Sequence, residues 1–161
     1  MLFRKRAWDL MRDDFATVDE SASLAEAVRA LMDSQKKSPE NNVVLVLGQG
    51  GEFKGALSVW NVLAAVDECV LRDPDLRIVR ESDFDKTFAR ASAACVHTAL
   101  TGHMEPDVPS LKPGDPLPTV LDLFLRKRRG WAVVAENGKA LGVILVADLY
   151  REVGADMVKA F

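Results

Sequence analysis

A stretch near the start of the chain is written again near its end, and that repetition constrains the fold more than any other feature. Met11-Arg12-Asp13-Asp14-Phe15-Ala16-Thr17-Val18 sets over Met104-Glu105-Pro106-Asp107-Val108-Pro109-Ser110-Leu111, and the offset of 93 residues continues without a gap into the neighbouring downstream segment. There Leu24, Ala27, Val28, Leu31 and Met32 fall on Leu117, Val120, Leu121, Phe124 and Leu125. Each set has the i, i+3, i+4, i+7, i+8 spacing of an amphipathic helix. The spacing predicts one helix twice, in one register.

Helix starts are marked in both copies. Ser23-Leu24-Ala25-Glu26 reads as a capping box, and Asp115-Pro116 as an N-cap with proline in the first turn. After each helix comes a β-rich run, Val43 to Leu47 and Trp131 to Ala135, closed by a turn. Gly48-Gln49-Gly50-Gly51 makes the first turn, and Glu136-Asn137-Gly138-Lys139 the second, with the Asn-Gly pair that suits positive φ. A second strand then runs directly into a helix, through Gly55-Ala56-Leu57-Ser58-Val59-Trp60-Asn61 and Gly142-Val143-Ile144-Leu145-Val146-Ala147-Asp148. The unit is strand, helix, hairpin, helix. Extra residues around Gln35 to Asn42 lengthen the first copy's loop.

The connection between the copies, Asp67 to Gly102, is too long to lack structure. Arg72-Asp73-Pro74-Asp75 breaks the helix that begins near Val59, and Phe84, Phe88, Ala91 and Cys95 predict a further amphipathic helix. The expected divisions are 1–72 for the first copy with an N-terminal helix, 73–102 for a partly helical insert, and 103–161 for the second copy.

Bulk properties remove several function classes. A chain of 161 residues, 48% hydrophobic, is long enough to bury a core. No apolar run approaches the roughly 20 residues needed to span a bilayer, and no export signal follows Arg4-Lys5-Arg6. The net charge of -3 argues against general nucleic-acid binding. Cys69 and Cys95 have neither CxxC spacing nor histidine companions, which fits a reducing cytoplasm. His97 and His103 lack partners at ligand intervals, so no metal site is expected. No catalytic triad, Walker loop or dinucleotide fingerprint is present, so the chain reads as a non-enzyme.

The Met104-Glu105-Pro106-Asp107 opening, the amphipathic helix, the hairpin and the G-h-h-S/T-x-x-D ending, in order and twice, resemble the CBS domain family, whose members occur as tandem pairs. The resemblance covers nearly the whole chain. It implies an α/β (α+β) fold of two repeats about a pseudo-twofold axis, with two clefts that commonly bind AMP, ADP, ATP or S-adenosylmethionine. No cofactor is required. It also implies a homodimer, helped by Val62, Leu63 and Val66, and an effector protein as the recipient of the signal.

Within that resemblance, the hydroxyl of S/T-x-x-D caps a helix whose free amides and dipole suit phosphate. The carboxylate three residues on accepts from the ribose diol. Copy one has Ser58 but Asn61 in place of the acid; copy two has Asp148 but Leu145 in place of the hydroxyl. The expected ligand cleft is the Asp148 one, with Arg128 or Arg129 at phosphate and Thr17 and Val18 beside adenine. Plainer readings stand next to these. Ser58 and Asn61 also suit a simple helix cap, Asp148 an acid in a first helical turn, and Arg126 to Arg129 a solvated helix end. Trp60 and Trp131 are expected in a core or an interface.

Overall fold

A computed structural model describes residues 4–161. Both copies form the expected unit. In the first, strand β1 (Thr17–Asp19) leads to α2 (Leu24–Lys37), the hairpin β2 (Val43–Leu47) and β3 (Phe53–Ser58), and α3 (Val59–Val66). In the second, β4 (Ser110–Leu111) leads to α6 (Leu117–Lys127), β5 (Trp131–Glu136), β6 (Lys139–Leu145) and α7 (Val146–Val158). A short α1 (Ala7–Leu10) precedes the first copy. Between the copies α3 passes into a π-helical turn, Asp67–Leu71, followed by α4 (Pro74–Ile78) and α5 (Phe84–Val96).

Each copy makes a three-stranded sheet, β1-β2-β3 or β4-β5-β6, in which the first pair is parallel and the second antiparallel. The hairpins carry matching irregularities, at Val46/Leu47 and at Val134/Ala135. The second hairpin turns on Asn137 and Gly138, both at positive φ, as a two-residue turn between right-twisted strands requires.

The central strand runs Val43–Val46 and Trp131–Val134 are apolar because both faces are covered. Val44, Val46 and Leu57 face α2 and α3, and Ala132, Val134 and Ile144 face α6 and α7. The alternate residues, Val43, Leu45 and Ala56 from one sheet and Trp131, Val133, Val143 and Leu145 from the other, form the core that joins the copies. Leu24, Ala27 and Leu31 are buried on α2, as are Leu117, Val120 and Phe124 on α6. Met32 and Leu125, the last pair of the expected stripes, are instead about three-fifths exposed. Trp60 is also exposed, whereas Trp131 is buried.

The segment before each copy packs on the other one. The amide of Leu117 donates to the Lys5 carbonyl and that of Leu24 to the Thr98 carbonyl, at positions related by the same offset of 93. Ala7 and Leu10 complete the core of copy two, and Cys95 and Leu100 that of copy one. Where these segments cross the hairpins the chain carries glycine. A Cβ at Gly142 would meet the Arg12 carbonyl at 2.7 Å, and one at its counterpart Gly55 would meet the Met104 side chain at 2.8 Å.

Two local expectations are corrected. Pro116, not Asp115, is the N-cap of α6, with Pro118 in the first turn; the Asp115 carboxylate turns back to accept from the Lys112 amide at 2.8 Å. The extra residues of copy one are not all loop, since α2 continues to Lys37 before the chain leaves the helix.

Candidate functional site

Each inter-copy face combines the opening of one copy with the last strand and helix of the other. On one face, Arg12 and the β1 segment meet Val143, Leu145 and the start of α7. A cleft of about 400 Å³ opens there, with Phe15, Ala16, Thr17, Val143 and Leu145 on its apolar side and Ser34, Lys37, Ser38 and Asn41 from the α2 end on its polar side. Arg12 also lines it, with Asp14 and Asp33 at the polar margin. Copy one can leave this space because its α2 wall carries small residues, Ala30 and Ser34.

Arg12 closes the back of the cleft. Its Nε and Nη2 donate to the two carboxylate oxygens of Asp148 at 2.6 and 3.0 Å, across 136 residues of chain. Nη2 also donates to Glu40 at 2.7 Å, and Nη1 to the Ser38 hydroxyl at 3.0 Å. Arg151 adds a further bond to Asp148 at 2.9 Å. This fork-to-carboxylate geometry is the strong form of an ion pair. It raises the already high pKa of the guanidinium, and the Arg12 hydrogen bond holds the Glu40 carboxyl below its ordinary range. Behind the pair lies a smaller hollow of about 260 Å³, lined by Asp9, Leu10, Arg12, Asp148, Arg151 and Glu152. Arg12 thus borders both spaces, whereas Asp148 borders only the smaller one.

The opposite face uses the same backbone with other side chains. Glu105 takes the place of Arg12 and is 9% exposed. Its oxygens accept from Arg129 Nη2 at 3.2 Å and Asn61 Nδ2 at 3.4 Å. Leu123 and Lys127 stand where copy one has Ala30 and Ser34, and Lys127 pairs with Asp107, whose carboxyl it holds below the ordinary range. Asn61 Oδ1 accepts from the Ser58 amide at 2.7 Å and its hydroxyl at 3.0 Å, while the Ser58 oxygen accepts from the Asn61 amide at 3.4 Å. Ser58 is fully buried in this capping box. At α7 the counterpart N-cap, Leu145, contributes no side-chain bond.

The sequence-derived site residues therefore fall into two groups. Thr17 and Leu145 line the open cleft and Asp148 stands behind it. Val18 packs toward the core of copy one instead. Arg128 and Arg129, expected beside Asp148, make no hydrogen bond or ion pair with it. Arg128 takes a left-handed conformation at the end of α6, φ 49°, and its Nε donates to the Leu125 carbonyl at 3.3 Å. Arg129 belongs with Glu105 and Asn61. The cations that do meet Asp148 are Arg12 and Arg151, neither of which the sequence reading singles out; for Arg12, its mismatch with Glu105 at the second position of an aligned repeat is the available signal. Among the described residues no group of three or more His, Cys, Asp or Glu could hold a metal ion.

Two parallel-antiparallel sheets stacked about a pseudo-twofold axis, each flanked by its own helix pair, define a tandem α/β repeat module. The CBS domain family model matches residues 7–68 and 99–155, and the chain belongs to that family. No curated protein matches the sequence. Among solved structures, a CBS domain-containing protein from Bacillus anthracis is 16% identical, with 96% of each chain covered and a TM-score of 0.69. CBSX2 in complex with AMP is 16% identical over 96% of this chain and 98% of that one, TM-score 0.66. The cytosolic domain of the Mg2+ channel MgtE in complex with ATP is 19% identical over 91% of this chain and 48% of that one, TM-score 0.64. At such identities the likeness concerns the fold. No described helix is long and apolar enough to cross a membrane.

Proposed function

We propose that the chain is a regulatory module that binds an adenosine-containing ligand in the 400 Å³ cleft and passes the event to a partner protein. The observation that carries the reading is the cleft itself, apolar on one side, polar on the other and bounded by both copies. Similar folds hold AMP and ATP, which supports the adenosine class. A ligand touching both copies favours one of their relative arrangements, so it acts by shifting a population. In this reading Asp148 serves the ribose diol and Thr17 the base side, the protein works in the cytoplasm without catalysis, and Arg129, Ser58 and Asn61 shape the opposite face.

The same reading includes a homodimer. Trp60 and Leu63 on α3, with Val146 and Tyr150 on α7, are large apolar or aromatic side chains left about half or more exposed. A second copy would cover them in a twofold arrangement. Light scattering is expected to give twice the chain mass; a monomer at tens of micromolar would remove the dimer.

The ligand test is thermal. Any molecule that binds only the native state raises its melting temperature. Saturating AMP, ADP, ATP or S-adenosylmethionine is expected to raise it, and no shift with any of them would leave a structural pairing module as the function.

A further inference from the structure

We infer that Arg12 is a specificity-determining residue of this cleft, making it select nucleotides over nucleosides by exchanging Asp148 for a ligand phosphate. This rests on the adenosine reading above. The carboxylate needed for a ribose diol is not free: both oxygens accept from Arg12, at 2.6 and 3.0 Å, and one also from Arg151. Asp148 lines the smaller hollow, whereas Arg12 lines both spaces. A ribose arriving from the cleft therefore reaches Asp148 only after Arg12 has moved.

Moving Arg12 strips a guanidinium of two charge-assisted bonds, a loss that a neutral nucleoside has nothing to offset. A phosphate does offset it. Arg12 already lines the cleft, and a phosphate offers the same paired oxygens that a carboxylate does. The polar end of the cleft carries one more cation, Lys37, and the side chains of Ser38 and Asn41. Arg12 has no arginine counterpart on the other face, where Glu105 occupies its position, so the exchange is possible at one cleft only. Glu40 competes for Arg12 as well, at 2.7 Å, and so sets how readily it is released.

The experiment is calorimetric titration of adenosine and of AMP into the parent protein, Arg12→Ala and Glu40→Gln, with melting curves to verify that each variant is folded. The parent is expected to bind AMP at least about tenfold more tightly than adenosine. In Arg12→Ala adenosine tightens and AMP loses its advantage, leaving the two within about threefold. Glu40→Gln, which weakens a competitor without altering the cleft cations, tightens AMP and so tests the idea even if Arg12→Ala fails to fold. An AMP-to-adenosine ratio unchanged in Arg12→Ala, or AMP binding unmoved in Glu40→Gln, overturns the inference while leaving the adenosine reading in place. Absence of binding by every protein overturns both.

Discussion

The two inter-copy faces share one backbone and differ in what their side chains leave open. On the Asp148 face, Ala30 and Ser34 leave a cleft. On the Asn61 face, Leu123 and Lys127 stand at the corresponding positions, the buried Glu105 ties Arg129 to Asn61, and Ser58 and Asn61 satisfy each other. Both faces are bonded internally, since Asp148 accepts from Arg12 and Arg151 as Glu105 accepts from Arg129 and Asn61, so they differ in side-chain size and charge and not in whether their polar groups are paired. Two copies of one unit provide two potential sites, and the residues at a few facing positions set how much space each leaves.

The largest expected effect tests whether the copies are equivalent in their cores even though their faces differ. Leu31 and Phe124, 4% and 8% exposed, are repeat counterparts on α2 and α6. Alanine at either is expected to destabilise the protein by about 2–5 kcal/mol in denaturant unfolding. Losses of similar size would keep the cores equivalent, and a neutral result at one would separate them.

Next comes the difference between the faces in ligand binding. Asp148→Ala is expected to weaken an adenosine nucleotide by at least about tenfold, roughly 1.4 kcal/mol, and Asn61→Ala to change it little. Equal effects would erase the asymmetry.

An effect of comparable size, but on stability instead of binding, should appear on the Glu105 face. Glu105→Ala removes a buried carboxylate and leaves Arg129 and Asn61 without their acceptor, so a loss of about 1–3 kcal/mol is expected in thermal unfolding. Nucleotide affinity should stay unchanged. A change in affinity with intact stability would mean that this face also binds.

The smallest expected effect is electrostatic and confined to the open face. Arg12 depresses the Glu40 pKa, so this contact favours the folded state above the ordinary carboxylate value and the benefit is lost as pH falls through the folded one. Carboxylate titration by NMR should place Glu40 below an ordinary glutamate in the parent protein and return it toward that value in Arg12→Ala. An unmoved midpoint would mean that Arg12 does not hold Glu40 in solution.

Most of the fold was legible because a period of hydrophobic positions, read twice, leaves few alternatives. The buried residues Leu24, Ala27 and Leu31, the hairpins, and the helix at Phe84–Val96 all come from local pattern. The exposure of the i+8 residues Met32 and Leu125 does not, because burial is set by tertiary neighbours and not by spacing alone. The site was legible in its elements but not in its pairings. Asp148 and Arg129 lie 19 residues apart in sequence, yet Asp148 is bonded by Arg12, far away in the chain, since each cleft is assembled from opposite copies. Arg128 ends α6 in a left-handed conformation that its residue type does not announce, arginine being uncommon at positive φ.

The crossing of the two preceding segments also bears on how the chain reaches its native state. Residues 5–12 are synthesised about a hundred residues before the carbonyls, hairpin and helix they bond to, which belong to residues 110–148. Copy one can assemble while this leading stretch stays undocked, because its core is completed by Cys95, Leu100 and Met104 instead. The leading segment, synthesised about a hundred residues earlier, has to wait for copy two before it can dock, and then closes the molecule like a clasp. Folding is therefore expected to be ordered, with the N-terminal stretch the last to gain protection from hydrogen exchange.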